Sequence, residues 1–422
     1  MQDHPVLGQV TLGYSPMIDR QRAVVATRLT VFPERPDATP DAGALLAAFD
    51  EVWPAVDDGK PQTLQARPLN APGTAQGSGP GGRQSLVSLN IAGEALLQSV
   101  MAIGPGPQRM LEVPAFMAGG AEHAASLRHL QAQGVVMLIK GRPLAPLTPE
   151  VLACFAHSIV ELADDRRTSA APPPGVRSVS SVYTGARTLG EAATCFERGA
   201  VAVLGWQFDD PLPPGKGRAA AADLQVVFEL ITGVDQELPV AKLEAILKRD
   251  PKLGFKLMRY LNSPAFGMSV EIQSFGHALM LLGYQRLKRW LVLLLASASK
   301  DPGGKPVLHA SVRRGMIMEE LVRAQRDNEL SGEMFICGVF SLLDKLLHQP
   351  FEDLLDSVPV PERVQQALRG EGGPYLAYLD LVRAIENESV FDIRECAERL
   401  LLRPMEVNSA LLRALRAARH LD

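Results

Sequence analysis

Residues Glu237–Leu295 read ELPVAKLEAILKRDPKLGFKLMRYLNSPAFGMSVEIQSFGHALMLLGYQRLKRWLVLLL, and this stretch decides what the C-terminal half is. Asp250 and Pro251 form a helix start: a carboxylate accepts from the orphan N–H groups of a first turn, and proline at the first helical position forfeits no hydrogen bond. Leu253, Leu257 and Leu261 follow at i, i+4 and i+8, and Met258 widens their apolar face. Lys252, Lys256 and Arg259 fall on other faces. Asn262, Ser263 and Pro264 end that helix. From Ser274 to Leu295, Ala278, Leu281, Leu282, Leu287 and Trp290 recur at helical intervals, with Gly283 marking a break between two helices. Three or four packed helices are predicted.

The order LP, RDPKLGFKLMRYLNSPAFG, IQSFGHALMLLG and LKRW along this stretch resembles the HDOD domain, a helical relative of the HD metal-dependent phosphohydrolases found in bacterial signalling proteins. Its signature positions here are Asp250, Pro251, Asn262, Ser263, Gly267 and Gly283. Asp250, Asn262 and Ser263 sit at helix ends, where they serve the backbone. An HD phosphohydrolase needs an adjacent His-Asp pair on one helix turn, and the sequence contains no such pair. In ICGVFSLLDKLL, Ser341 and Leu342 stand where the pair is expected and Asp344 is left alone. The resemblance therefore implies a domain without its metal site. His277, His309 and His348 read as core or surface histidines rather than ligands. Arg286, Lys288, Arg289 and Trp290 combine basic and aromatic groups that can contact phosphate, a membrane surface or an acidic partner. The plainer reading is a buried helix with a solvated edge.

Going outward, the 422 residues suffice for two or three domains with ordinary cores. The net charge of −4 divides into 16 basic against 20 acidic residues up to Leu212 and 27 against 27 beyond it, so no half has the basic excess of a nucleic-acid binder. Cys154, Cys195, Cys337 and Cys396 are scattered without a CxxC pair, the usage of a reduced cytoplasmic protein rather than of a disulfide framework or a zinc cage. MQDHPVLGQV lacks the basic start and apolar run of a signal peptide, and the longest apolar run, Trp290 to Ala298, is too short to span a bilayer.

Before the helical half, strand and helix patterns alternate. Gly8 to Phe32 reads as a strand pair around Ile18-Asp19-Arg20-Gln21, followed by a helix in PDAGALLAAFDEVWPAV. A Pro/Gly/Ser-rich segment from 61 to 83 has too little apolar content to pack and reads as a mobile loop. Strands are then predicted at 85–89, 109–113, 135–140, 177–182 and 200–205, and helices at 93–100, 121–133, 149–164 and 189–198. Such repetition predicts a parallel sheet, closed into a barrel or open, with helices outside. PLPPGKGRAAAA interrupts the pattern. The expected layout is an α/β domain over 1–213, a linker over 214–222 and an all-helical domain over 223–422.

The opening YSPMIDRQRAVVATRLTVF is similar to the first strand pair of EAL domains, cyclic di-GMP phosphodiesterases that share chains with HDOD in one bacterial family; the resemblance covers Val10 to Pro213. It implies a TIM-barrel-like fold whose enzymes bind divalent metal through carboxylates and an asparagine at the carboxyl ends of strands. Arg28, in ATRLT, stands where the first glutamate should, inverting the charge. Asn90, in LVSLN, matches the asparagine, and Glu112, in MLEVP, the next glutamate. Lys140 and Gly141 replace the paired aspartates, and Ser158 stands near the lysine position. Tyr183 and Thr184 replace a further glutamate, and Leu204-Gly205 a glutamine-glycine. Arg28, Asn90, Glu112 and Lys140 thus read as vestigial positions, with no catalytic residue, metal or cofactor expected. The plainer reading of Asn90 and Glu112 is that they hydrogen-bond at strand ends or cap a following helix, with no ligand at all.

Three functions are weighed on these residues. The first is a non-catalytic signalling scaffold whose HDOD and degenerate EAL-like domains contact an unknown signalling protein. The second is a sensor that binds cyclic di-GMP or another nucleotide through Arg28, Asn90 or Lys140 without hydrolysis. The third is a metal-dependent phosphodiesterase. The last helix, RPMEVNSALLRALRAARHL, gathers Leu411, Ala414, Leu415 and Ala418 on one face and Arg413, Arg416 and Arg419 on the other. It is expected to pack back on the helical bundle, with a homodimer contact as the alternative.

Overall fold

A computed structural model describes residues 4–35, 37–54, 86–106, 109–143, 146–165 and 179–211, most of 226–249 with scattered positions from 276 to 291, then 304–355 and 360–418. The 61–83 segment lies outside them. The chain forms two compact units, Met1–Asp210 with Arg383–His420, and Pro211–Val382.

In the first unit, eight strands close into a barrel in chain order: β1 (Val10–Ile18), β2 (Val24–Pro33), β3 (Leu86–Ile91), β4 (Arg109–Pro114), β5 (Val136–Lys140), β6 (Phe155–Glu161), β7 (Ser180–Thr184) and β8 (Ala200–Leu204). Neighbours from β2 to β8 are parallel, whereas β1 runs antiparallel to both β2 and β8. The connecting helices include α1 (Ala42–Asp50), α2 (Glu94–Ile103), α3 (Ala115–Ala118), α4 (Ala124–Ala132), α5 (Pro149–Leu152) and α6 (Leu189–Glu197). Local chemistry sets their starts. The Asp41 carboxylate accepts from Ala44 N–H at α1, and Thr188 with Glu191 forms a reciprocal capping box at α6.

One element differs from its expectation. The predicted helix over 149–164 is a single turn, α5, followed by the strand β6. Thr148 and Pro149 do start a helix, but Phe155-Ala-His-Ser-Ile-Val-Glu161 alternates buried and half-buried positions, the period of a strand. The neighbours β5 and β7 then supply its backbone partners.

Each strand contributes to one apolar layer inside the barrel: Met17, Ala26, Leu86, Met110, Leu138, Ile159, Val182, and Ala202 with Leu204. Because side chains alternate along a strand, Ser15, Arg28, Ser88, Glu112 and Lys140, two residues from members of that layer, share the inner face. A polar layer thus lies over the apolar one, toward the carboxyl ends of the parallel strands.

The last part of the chain belongs to this unit. The helices α14 (Val390–Arg399) and α15 (Pro404–Ala418) contact β1, and every β1 residue is buried. Only Met17 and Ile18 of β1 pair with β8, so the start of β1 faces a seam in the barrel. Asn408, on α15 and 1% exposed, fills that seam: its amide NH2 donates to the carbonyls of Leu7 (2.8 Å) and Val10 (2.7 Å), and its carbonyl accepts from Leu12 N–H (3.0 Å). Backbone groups that no strand reaches are thereby satisfied by one side chain. The expectation that the last helix packs on the bundle is therefore corrected. Leu411, Ala414, Leu415 and Ala418 are buried in the barrel unit, which leaves that apolar face unavailable to a homodimer. Amphipathic periodicity reveals that a face is buried, not which body buries it.

The second unit is helical where described: α7 (Val240–Leu247), α8 (Gly304–Val322), α9 (Asn328–Phe340), α10 (Leu343–Leu347), α11 (Phe351–Leu355), α12 (Glu362–Arg369) and α13 (Leu376–Glu386), the last of which runs past the unit boundary at Val382. Gly283 adopts φ +72°, a left-handed conformation open to glycine without steric cost. No helix among the described residues is long and apolar enough to cross a membrane.

Candidate functional site

Arg28, Asn90, Glu112 and Lys140 come together in the barrel. The strand register sets Asn90 beside Glu112, and Pro114 beside Lys140. The Arg28 guanidinium donates through Nε to Glu112 Oε1 (2.8 Å) and through Nη2 to Glu112 Oε2 (2.7 Å), a two-point fork with Glu112 fully buried. Ser88 Oγ donates to Glu112 Oε1 (3.0 Å). Lys140 Nζ donates to Asn90 Oδ1 (2.6 Å), and Asn90 Nδ2 donates to Thr30 Oγ1 (3.0 Å).

A further member comes from far along the chain. Glu388, in the turn between α13 and α14, accepts from Arg28 Nη1 through Oε2 (2.8 Å) and from Ser15 Oγ through Oε1 (2.9 Å). Its backbone adopts φ +54°, a conformation costing a non-glycine residue about 1–2 kcal/mol. Gly13 leaves room for it: a Cβ there would lie 3.0 Å from Glu388 Cα. Glu388 carried no signal in the sequence, because its partners lie about 360 residues away.

The electrostatics follow from burial and pairing. Burial alone would lower the Arg28 pKa, but the carboxylates of Glu112 and Glu388 outweigh it and hold the guanidinium above its ordinary value. Burial lowers the Lys140 pKa; Glu112 and Glu388 counter that, and Arg28 adds to it. Two cations and two carboxylates balance.

This donor set does not fit a divalent cation. Both Glu112 oxygens are committed to a guanidinium, Asn90 Oδ1 is committed to an ammonium, and a cation seated between them would face Arg28 and Lys140. Among the described residues, no group of three or more His, Cys, Asp or Glu side chains is arranged as metal ligands. At the other replaced positions, Ser158 Oγ lies 3.4 Å from Ser181 Oγ, and Tyr183 is fully buried with its hydroxyl donating to Asp165.

Below the polar layer, His157 is 4% exposed, and neither ring nitrogen has a hydrogen-bond partner among the described residues. Burial pushes its pKa below the ordinary histidine value. Its neutral form is the one that folds. The resulting contribution to stability is present above the unfolded value of about 6.5 and is lost as pH falls toward the folded value. His157→Leu is expected to flatten the decline of barrel stability between pH 7 and pH 5. Urea titrations at both pH values check this; an unchanged slope refutes it.

In the helical unit, Ser341 and Asp344 are buried. Arg314 Nη1 donates to Ser341 Oγ (3.0 Å), and that hydroxyl donates to the Gly338 carbonyl (2.7 Å), so the residue at the expected His-Asp position is tied into the helix packing. Burial raises the Asp344 pKa, partly opposed by the Lys345 backbone N–H and by the Lys345 and Arg314 charges. Asp250, Pro251, Asn262, Ser263, Gly267, Arg286, Lys288, Arg289, Trp290 and His277 lie outside the described residues. The four cysteines are buried as free thiols.

Residues 223–351 match the family model described as HDOD domain, so the second unit carries one. The uncharacterized protein YuxH of Bacillus subtilis is 31% identical over 166 residues, 38% of this chain and 40% of the relative. The cyclic di-GMP phosphodiesterase CdgJ of Vibrio cholerae is 29% identical over 173 residues, 41% of this chain and 40% of the relative. The matched part thus spans about 40% of either curated relative.

Proposed function

We propose that this chain is a non-catalytic bacterial signal-transduction protein of the cytoplasm, acting through protein–protein contacts of its HDOD domain and of a degenerate EAL-like barrel. One observation carries the reading: Glu112, the carboxylate at the position matched to a metal-binding glutamate, is neutralised by the Arg28 fork, with Glu388 on the remaining guanidinium nitrogen. The HDOD match over 223–351 and the similarity to a protein named as a cyclic di-GMP phosphodiesterase support signal transduction as the setting. The chain leaves the barrel unit at Asp210 and re-enters it at Arg383, so each unit is connected to the other through two chain segments. Such connectivity suits a protein in which a partner that binds one unit biases the state of the other.

A second reading, a cyclic di-GMP sensor without turnover, is favoured by the cations Arg28 and Lys140 on the barrel's inner face. One experiment separates the readings. The full chain is titrated calorimetrically with cyclic di-GMP in Ca²⁺, then incubated with the same nucleotide in Mg²⁺ or Mn²⁺ at high protein concentration. The scaffold reading expects neither heat nor product. Saturable heat without product, abolished by Lys140→Ala, replaces it with the sensor; linearised product replaces both with an enzyme.

A further inference from the structure

The Glu388 carboxylate occupies a seat that the barrel builds around it. Arg28 Nη1 and Ser15 Oγ each donate to one of its oxygens, and the absence of a side chain at Gly13 admits its stem. The residue reaches the seat from a turn anchored to the end of α13, where Glu388 N–H donates to the Ile385 carbonyl and Ser389 N–H to the Ala384 carbonyl. Glu388 takes φ +54° there, the left-handed helix-end conformation that Leu401 also takes at the end of α14, and this turn aims its carboxylate at β1 and β2. Glu386 extends the contact by accepting from Tyr14 Oη (3.4 Å).

We propose that this seat is an oxyanion-binding site for a phosphate group, filled in the present state by Glu388 as an internal occupant. The chemistry is common to both. A carboxylate and a phosphate each offer two or more oxygens to a guanidinium nitrogen and a hydroxyl, and phosphate carries more charge. The positive groups remain when Glu388 leaves: with Glu112 still on Nε and Nη2, Arg28 Nη1 is free, and Lys140 adds a second cation to the same layer. Occupancy by phosphate and docking of this turn are mutually exclusive, which makes the turn an autoinhibitory latch.

The test uses the full chain with inorganic phosphate as the probe. In Glu388→Gly the carboxylate is gone while glycine suits the positive φ, so the turn itself is preserved. Glu388→Asn, an uncharged residue that also tolerates positive φ, is the second variant. Thermal melts are recorded across a phosphate series, against chloride at matched ionic strength. Both variants are expected to show a saturating rise in melting temperature with phosphate, the wild type none. Adding Ser15→Ala to Glu388→Gly should weaken the response at least tenfold in phosphate concentration. An equal response in wild type and variants, no response in any, or a response indifferent to Ser15→Ala overturns the assignment. The outcome is independent of whether the barrel binds or hydrolyses a nucleotide, since the probe is phosphate alone and the readout is stability.

Discussion

Glu112→Ala is expected to destabilise the barrel by about 3–5 kcal/mol, the cost of leaving one partner of a buried ion pair without the other. The Glu112 side chain is fully buried and takes three hydrogen bonds, two from Arg28 and one from Ser88. Arg28 cannot escape by losing its proton, because guanidinium stays charged at any pH at which proteins fold. Nor can it turn to water without giving up Glu388, which holds only one of its nitrogens. Glu112→Gln keeps the shape and one acceptor, and its expected cost is about 1.5–3 kcal/mol, that of weakened hydrogen bonds to a charged group. Adding Arg28→Met to Glu112→Ala should restore part of the loss, since the stranded charge disappears. Because the two units need not unfold together, the quantity to measure is amide exchange in β2, β3 and β4. If Glu112→Ala leaves their protection unchanged, the fork contributes nothing to the barrel.

The same fork shows what the sequence could and could not convey. Arg28, Asn90, Glu112 and Lys140 stand out in the sequence as departures from, or matches to, the metal-site pattern that the EAL resemblance implies, because residue type and strand position are local facts. Their mutual pairing was not visible. A reading along the chain treats Arg28 as an inversion of charge and Glu112 as a surviving carboxylate; the barrel's register converts the two into one buried ion pair. Glu388 and Asn408 lay further out of reach, each meeting its partners across about 360 to 400 residues. The alternation of strand and helix was legible from period and punctuation in most of the barrel. It failed at 149–164, where a sound helix start preceded a strand whose alternation includes His157 and Ser158. In the helical half the family resemblance was carried by short motifs, and the family model covers that same region.

Gly338→Ala is expected to destabilise the helical unit by about 3 kcal/mol or more, at or beyond the upper end for adding a methyl group to a packed interior. Here α8 and α9 cross with their backbones in contact. A Cβ on Gly338 would lie 2.5 Å from Gly315 N and 2.6 Å from both the Arg314 carbonyl carbon and Gly315 Cα. None of those atoms belongs to a side chain that could rotate away, so relief requires the helices to separate. Gly315 is bound by the same crossing, since its own Cβ would meet the Phe335 carbonyl oxygen at 2.8 Å and Val339 Cγ2 at 2.7 Å. Separation would also stretch the bond from Arg314 to Ser341, which lies at the position where a His-Asp pair was expected. The packing therefore uses two glycines to bring two helix backbones together beside the buried hydrogen bond from Arg314 to Ser341. Gly190→Ala serves as the control, with nothing within 4 Å of its Cβ in α6 and an expected gain of up to about 1 kcal/mol from helix propensity. Chemical denaturation followed by circular dichroism distinguishes the two, and a Gly338→Ala protein as stable as the wild type would mean that α8 and α9 can cross without backbone contact.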